Sequence, residues 1–232
     1  MKNALIFGYN DYAFEIAKNI SSTYENVCIF KLHDDKSSLA KEQEKYKIYG
    51  FDLSDDWDEI VNDFDVSESI VFCTLEDIAK NVFLTISLRD TFKDLIIISI
   101  AQGKESASKL ELAGASRVIP TTETTAKIIV DMLEKPVVTK VLHSILYEQN
   151  DLQIAQIKVN KNNIFDDKYP ADINWSREYK IILLSVVYED MSQEFIYSNK
   201  AKHHPIQSGD IFVVVGYDKD IINFEQLLGS RV

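Results

Sequence analysis

The sequence predicts a doubly wound parallel α/β domain followed by a smaller α+β domain. Three observations carry this. From residue 4 to about residue 135, strand and helix patterns alternate with short connections, which requires a parallel sheet with helices on both faces. The chain opens on an apolar strand that runs into a glycine and then directly into a helix pattern, the opening unit of a dinucleotide-binding, Rossmann-like fold. Beyond residue 151 the helical spacing gives way to long β-rich runs.

Ala4-Leu5-Ile6-Phe7 forms the first strand, Gly8 the turn, and Phe14, Ile16, Ala17 and Ile20 the apolar face of the first helix. Val27–Lys31 is the second strand, Ser37–Lys45 a polar helix and Lys47–Tyr49 a short third strand. Asp55–Phe64 suits a helix whose acidic first turn favours the positive end of the helix dipole. Ser69–Cys73 is the fourth strand, followed by a helix from Glu76 to about Asp90. Leu95–Ile100, the most β-branched segment, reads as a buried parallel strand. Glu105–Ala113 is a helix stopped by Gly114. Arg117–Ile119 is a short sixth strand before Pro120, and Thr124–Leu133 is a further helix.

Pro136 breaks the alternation. Val137–Tyr147 then reads as a helix that is apolar at Val138, Val141, Leu142, Ile145 and Leu146. A helix apolar most of the way round needs partners on more than one side; a subunit interface is favoured over packing between the chain's own domains. The domains expected are 1–135, a connector or crossover helix at 136–150, and 151–232. In the last, Leu152–Val159, Lys180–Tyr188, Phe195–Tyr197 and Ile211–Tyr217 are strands, and Ile221–Leu228 closes as a helix.

Composition narrows the function. The 232 residues are 46% hydrophobic, enough for packed cores, and the formal charge of −12 repels nucleic acid and anionic lipid headgroups. Met1-Lys2-Asn3 leads straight into the first strand, which predicts no secretory leader. No run reaches the roughly 18 apolar residues of a membrane span, so no direct membrane insertion is expected. Cys28 and Cys73 sit in apolar strands and read as buried free thiols of a reducing cytoplasm.

The opening turn is the candidate site. Gly-x-Gly-x-x-Gly places glycines at 8, 10 and 13, and here the residues are Gly8, Asn10 and Ala13. Alanine at the third place still allows close helix–strand packing, whereas Asn10 brings a side chain to the place where backbone approaches a pyrophosphate. Dinucleotide sites also use an acid at the end of the second strand for the ribose hydroxyls. Phe30-Lys31-Leu32-His33-Asp34-Asp35 puts Lys31 in that slot, with Asp34 serving only if the strand end shifts. Lys31 reads as a solvated strand-end lysine or, with His33, as a phosphate contact. No Tyr-x-x-x-Lys pair or placed Cys/His couple is present for oxidoreductase chemistry. Asp166-Asp167 and Glu189-Asp190 read as turn acids, and adjacent His203-His204 point to opposite sides of an extended chain; no metal site is expected.

The order of parts resembles the RCK family, regulators of K⁺ conductance with TrkA-type N-terminal and C-terminal domains. The resemblance rests on the Gly8 turn, Asp52-Leu53-Ser54-Asp55, Glu76-Asp77 with Asn81, and Leu110-x-x-x-Gly114-Ala115-x-x-Val118-Ile119-Pro120. In the second half it rests on Ser208-Gly209-Asp210-Ile211-Phe212-Val213-Val214-Val215-Gly216 with Ile221-x-x-Phe224. It implies a non-enzymatic gating subunit that assembles as a homodimer or higher ring beneath a membrane K⁺ channel or transporter. Such a subunit is cytoplasmic, peripheral to the inner membrane through a partner or as part of a longer channel chain. It implies an adenine nucleotide ligand, NAD(H), ATP or ADP. The implied site is Gly8, Tyr9, Asn10, Asp11 and Tyr12 of the turn, Lys31, Asp52 and Leu53 after the third strand, and Thr74 and Leu75 after the fourth. Calcium-gated relatives carry acids after the fifth strand, where this chain has Ile100-Ala101-Gln102.

Overall fold

A computed structural model describes residues 3–35, 46–54, 57, 69–147, 151–161 and 163–231. The helices expected at 37–45 and 55–64 lie outside the described residues, apart from Trp57. The chain divides into two compact units, Met1–Val130 and Asp131–Val232.

In the first unit, β1 (Asn3–Phe7) leads into α1 (Asp11–Ile20), then β2 (Asn26–Leu32) and β3 (Lys47–Phe51). β4 (Ser69–Cys73), α2 (Ile78–Thr91), β5 (Ile96–Ala101), α3 (Lys104–Leu112) and β6 (Arg117–Pro120) follow, and α4 spans Thr121–Glu134. The six strands lie in the order β3-β2-β1-β4-β5-β6, all parallel. This is the strand order of dinucleotide-binding folds, and it reverses between β1 and β4. The register aligns Phe7 with Phe30 on one side and Cys73 on the other, so β1 and β4 end together at the reversal while β2 runs on to Leu32.

Alternation along the central strands supplies both faces of the sheet. Leu5, Phe7, Cys28, Phe30, Val71 and Cys73 join Leu84 and Leu88 of α2 on one face, with Phe7 stacked on Phe30 at 4.5 Å. Ala4, Ile6, Ile29 and Phe72 meet Ala13, Phe14 and Ala17 of α1 on the other. Burying each large apolar side chain contributes about 1.5–3 kcal/mol, so these positions dominate the unit's stability. Cys28 and Cys73 are both free and buried, and burial pushes the Cys73 thiol up to about 12. β5 departs from the doubly buried strand expected for it. Ile97, Ser99 and Ala101 are buried while Ile96 is half exposed, so it alternates.

Arg89, late in α2, ties the far end of the sheet together. Its guanidinium donates to the carbonyls of Phe92, Lys93, Leu95 and Gly114 and to Ser116 Oγ. Four carbonyls on two connections depend on one cation. Charge-assisted bonds contribute about 1.5–3 kcal/mol, so Arg89→Ala should cost the first unit about 2 kcal/mol in urea unfolding; a cost below about 0.5 kcal/mol would show that water replaces it.

The second unit continues α4 beyond Asp131 and adds α5 (Pro136–Tyr147), β7 (Leu152–Val159), a 3₁₀ turn at Pro170–Asp172 and α6 (Trp175–Glu178). β8 (Ile181–Val187), β9 (Gln193–Phe195), α7 (Asn199–His203), β10 (Ile211–Tyr217), α8 (Asp218–Leu228) and β11 (Gly229–Arg231) complete it. The antiparallel sheet runs β11-β7-β10-β8-β9. Its core gathers Ile157, Phe165, Trp175, Phe212 and Phe224, and the Trp175 indole donates to the Pro170 carbonyl at 2.8 Å. The short strand sits two residues earlier than Phe195–Tyr197, because the β8–β9 pairing sets Phe195 opposite Ser185 and ends there. Lys180 precedes β8 at φ +57, a left-handed residue that starts the strand one position late.

Asp210 is buried just before β10, where its carboxylate accepts from the Gln207 N–H at 3.1 Å and lies 3.4 Å from His204 Nε2. Burial is the first cause that raises its carboxyl above the ordinary 3.8, opposed by the Gln207 N–H and by His204. A carboxyl raised in the folded state contributes stability that is complete below the unfolded value and is lost as pH rises through the folded value. Thermal unfolding from pH 4 to pH 7 should therefore show Asp210→Asn gaining on the wild type as pH rises. A difference independent of pH would contradict this.

Candidate functional site

The site is built where the sheet reverses. β1 ends at Phe7, and Gly8 turns the chain with φ +139 while its N–H donates to the Phe30 carbonyl at 2.9 Å. Thr74 lies directly beneath: its N–H and hydroxyl both reach the Phe7 carbonyl, at 2.8 and 3.1 Å. A Cβ on residue 8 would stand 2.2 Å from Thr74 Oγ1, so only glycine lets the turn pass this close.

Asn10 caps α1. Its Oδ1 accepts from the Ala13 N–H at 3.1 Å, and its Nδ2 donates to the Thr74 carbonyl at 2.6 Å. The side chain expected to intrude on a pyrophosphate is instead folded against the protein and almost fully buried. The early amides of a helix have no intrahelical acceptors. Asn10 takes those of Ala13 and, through its carbonyl, Phe14, which leaves the amides of Asp11 and Tyr12 for a ligand at the positive end of the helix.

Opposite, Asn81 of α2 joins the ends of two strands. Fully buried, it donates to the carbonyls of Cys73 and Ile100 and accepts from the Leu75 N–H. Asp77 caps α2 by accepting from the amides of Ala79 and Lys80. Between these supports lies a cleft of about 350 Å³ lined by Gly8, Tyr9, Asn10, Leu32, Asp34, Asp35, Leu75, Glu76, Asp77 and Lys80. Its volume lies within the roughly 300–1,000 Å³ of small-molecule sites.

The structure thus brings Gly8, Tyr9, Asn10 and Leu75 together and places the other expected residues around them. Asp11 and Tyr12 open α1, with Tyr12 exposed. β2 runs one residue beyond Lys31, to Leu32, and the Lys31 ammonium lies over the Tyr9 ring at 4.4 Å. Lys31 is therefore not a solvated strand-end lysine: it braces the turn through a cation–π contact. The carboxylates just past the strand end that line the cleft are Asp34 and Asp35. The Thr74 hydroxyl is committed to Phe7 and is buried. Asp52 accepts from the Ser54 N–H and hydroxyl in an exposed turn, and these bonds hold its carboxyl below the usual carboxylate range. Neither Asp52 nor Leu53 lines the cleft; Leu53 packs against the first unit's core.

Lys80 is the residue that sequence reading missed. Its ammonium crosses the cleft to Asp34 Oδ2 at 2.6 Å, and that bond raises its pKa above the ordinary lysine value. The available signal was its place one turn after Asp77, which faces a helical lysine toward the strand ends. Among the described residues there is no group of three or more His, Cys, Asp or Glu side chains placed to hold a metal ion.

Comparison with known proteins follows this geometry. The family model of the TrkA-N domain matches residues 4–121, half of the chain and all of the cleft. The chain belongs to the TrkA-N family. Over 216 residues, 89% of its length, it is also 22% identical to the Probable potassium channel protein 2 of Methanocaldococcus jannaschii, of which it spans 62%. Among solved structures, the human SLO3 gating ring superposes with a TM-score of 0.68 at 12% identity, covering 98% of this chain and 46% of that one. The GsuK channel bound to NAD aligns at a TM-score of 0.49 and 16% identity, covering 98% of this chain and 38% of that one. For a TrkA-N domain the cleft over Gly8 is the place to look for a ligand, because ligands of open α/β sheets gather at the reversal of strand order.

Proposed function

We propose that this TrkA-N protein is a regulatory, non-enzymatic gating domain of a K⁺ channel or K⁺ uptake system. An adenine nucleotide bound over Gly8 biases the shape of an assembly of paired copies. The observation that supports it most is the joint one: a Rossmann cleft with two helix amides free, in a chain related along 89% of its length to a probable potassium channel protein. Residues 1–135 form the nucleotide-binding part, 136–150 the crossover and 151–232 a TrkA-type C-terminal domain. The protein works on the cytoplasmic side, attached through a channel partner or as part of a longer channel chain.

The pairing surface is apolar. Among the described residues of the second unit, Met132, Leu133, Val137, Val138, Val141 and Leu142 are all exposed, and two helices of one unit leave a contiguous run of large apolar side chains in water. Such patches on soluble chains mark interaction sites. Among the described residues no helix is long and apolar enough to cross a membrane; the run is proposed as protein-facing.

The cleft supplies what a sensor needs. Helix amides hold phosphate, Asp34 meets ribose hydroxyls, and Asn81 links the cleft wall to β5. A ligand can shift the assembly only as far as its affinities for two shapes differ. The test is a melting curve with NAD⁺, NADH, ADP and ATP. A ligand at a hundred times its Kd raises stability by about 2.7 kcal/mol. No shift with any of them would leave a ligand-free structural subunit, and steady consumption of NAD(P)H with any substrate would make the protein an oxidoreductase.

A further inference from the structure

The Ser208-Gly209-Asp210 stretch before β10 takes no part in the cleft over Gly8, yet it shapes a second cavity. Gly209 turns the chain at φ +104, the Asp210 N–H donates to the Gln207 carbonyl at 3.2 Å, and the Gln207 N–H returns a bond to Asp210 Oδ2 at 3.1 Å. This closed turn fixes the Asp210 carboxylate, almost fully buried, in the wall of a cavity of about 460 Å³ in the second unit. Tyr188, just after β8, and His204, just after α7, line it as well, their rings 4.3 Å apart. His204 Nε2 lies 3.4 Å from Asp210 Oδ2 without a hydrogen bond to it. The Tyr188 hydroxyl and His204 Nε2 are both buried, and among the described residues neither has a hydrogen-bond partner. Tyr188 as a whole is only 5% exposed. A buried polar group in this state is costly, and here two belong to the lining of one cavity.

The acceptors define the ligand chemistry. Burial, with Glu194, Asp210 and Asp190 nearby, raises the Tyr188 phenol above its ordinary value, so it stays neutral and its oxygen accepts. With the neutral His204 nitrogen and the Asp210 carboxylate it makes three acceptors, and a protonated primary amine carries three N–H donors on one cationic nitrogen. A water molecule offers two donors and no charge. Among the described residues no His, Cys, Asp and Glu group is placed to hold a metal ion. The chain's own Lys200 shows that the cavity suits an ammonium: its Nζ lies over the Tyr188 ring at 4.6 Å and donates to Ser192 Oγ at 3.1 Å. We propose that this cavity binds a small organic primary ammonium ion, with Asp210 as its counter-charge and Tyr188 and His204 as its other two acceptors. The exposed carboxylates of Glu189 and Asp190 on the lining suit the second ammonium of a diamine, whereas Lys200 suits the carboxylate of an amino acid. The site is independent of the nucleotide reading and stands or falls without it.

Calorimetric titration of the full chain near neutral pH with putrescine, L-alanine and tetramethylammonium, which has the charge but no N–H, tests this. Putrescine or L-alanine is expected to bind at least about tenfold more tightly than tetramethylammonium, the factor that hydrogen bonds to a charged group supply; whichever binds more tightly names the source. Tyr188→Phe should weaken that binding about tenfold, yet without ligand it should melt no lower than the wild type, since the lost hydroxyl had no partner. Asp210→Asn, whose amide oxygen still accepts from the Gln207 N–H, should weaken binding further. Tetramethylammonium binding as tightly as the amines, no binding of either amine, or binding unchanged in Tyr188→Phe overturns the inference. So does a Tyr188→Phe variant that melts lower without ligand, because its hydroxyl would then be structural.

Discussion

Gly8→Ala is expected to cost the first unit about 2–5 kcal/mol and to abolish any ligand response of the cleft. Two effects add. An L-residue at φ +139 is held in a sparsely populated region, at roughly 1–3 kcal/mol. The new Cβ would also stand 2.2 Å from Thr74 Oγ1 and 3.0 Å from the Thr74 carbonyl carbon, an overpacking worth another 1–3 kcal/mol or so. Thr74 cannot retreat cheaply. Its N–H and hydroxyl hold the Phe7 carbonyl, and its own carbonyl accepts from Asn10, the cap of α1. Relief at residue 8 therefore loosens the cap. Gly103→Ala is the control: a Cβ there meets only Glu123 Oε1, at 3.9 Å, and the change should cost only the preference of an N-cap for glycine over alanine, about 1 kcal/mol. Urea unfolding of the two variants checks the contrast, and equal costs would contradict the role given to Gly8.

The second large effect concerns assembly. Leu142→Glu puts a charge into the exposed apolar run of the second unit, at a residue 48% exposed from which the carboxylate reaches water in the unpaired chain. If copies pair through this run, each interface gains two unpaired buried carboxylates, one from each copy. Truncating or mismatching a buried charge at an interface costs about 2–5 kcal/mol, so pairing should weaken by about thirtyfold to several thousandfold. Sedimentation equilibrium reads this directly. Lys202→Glu, on α7 and exposed, should leave association unchanged. Equal association of Leu142→Glu and the wild type would move the interface elsewhere.

Periodicity was enough to recover the sheet, because β1, β4 and the long strands of the second unit bury alternate or continuous apolar residues whatever else surrounds them. It recovered the Gly8 turn for the same local reason, whereas Asn81 stood out only through the family resemblance. Strand ends were less legible. Phe30 and Leu32 are both buried with Lys31 between them, an alternation that carries β2 one residue past Lys31 and leaves Asp34 and Asp35, just beyond its end, beside the cleft. Helix starts also slipped. α4 begins at Thr121, immediately after β6, because the Thr121 hydroxyl donates to Ala101 and the Thr122 N–H to Gln102; the apolar pattern begins only at Ala126.

The rest of the site depends on contacts between segments distant in sequence, which no local pattern encodes. Lys31 over Tyr9, Asn10 onto Thr74 across 64 positions, and Lys80 to Asp34 across 46 are such contacts. Asn10 shows the consequence. By sequence its side chain stood in the way of a pyrophosphate, and in three dimensions it is a buried cap that leaves the next two amides open. The degenerate glycine motif is therefore compatible with a phosphate cradle of different construction.

The central claim is that a ligand over Gly8 changes the shape of a paired assembly. Sedimentation velocity of the full chain at micromolar concentration, with and without saturating NAD⁺, tests it most directly. The account predicts a dimer or larger species whose sedimentation coefficient shifts on adding NAD⁺, and no shift in Gly8→Ala. A monomer at every concentration, or an assembly whose sedimentation is identical with and without bound nucleotide, would contradict it.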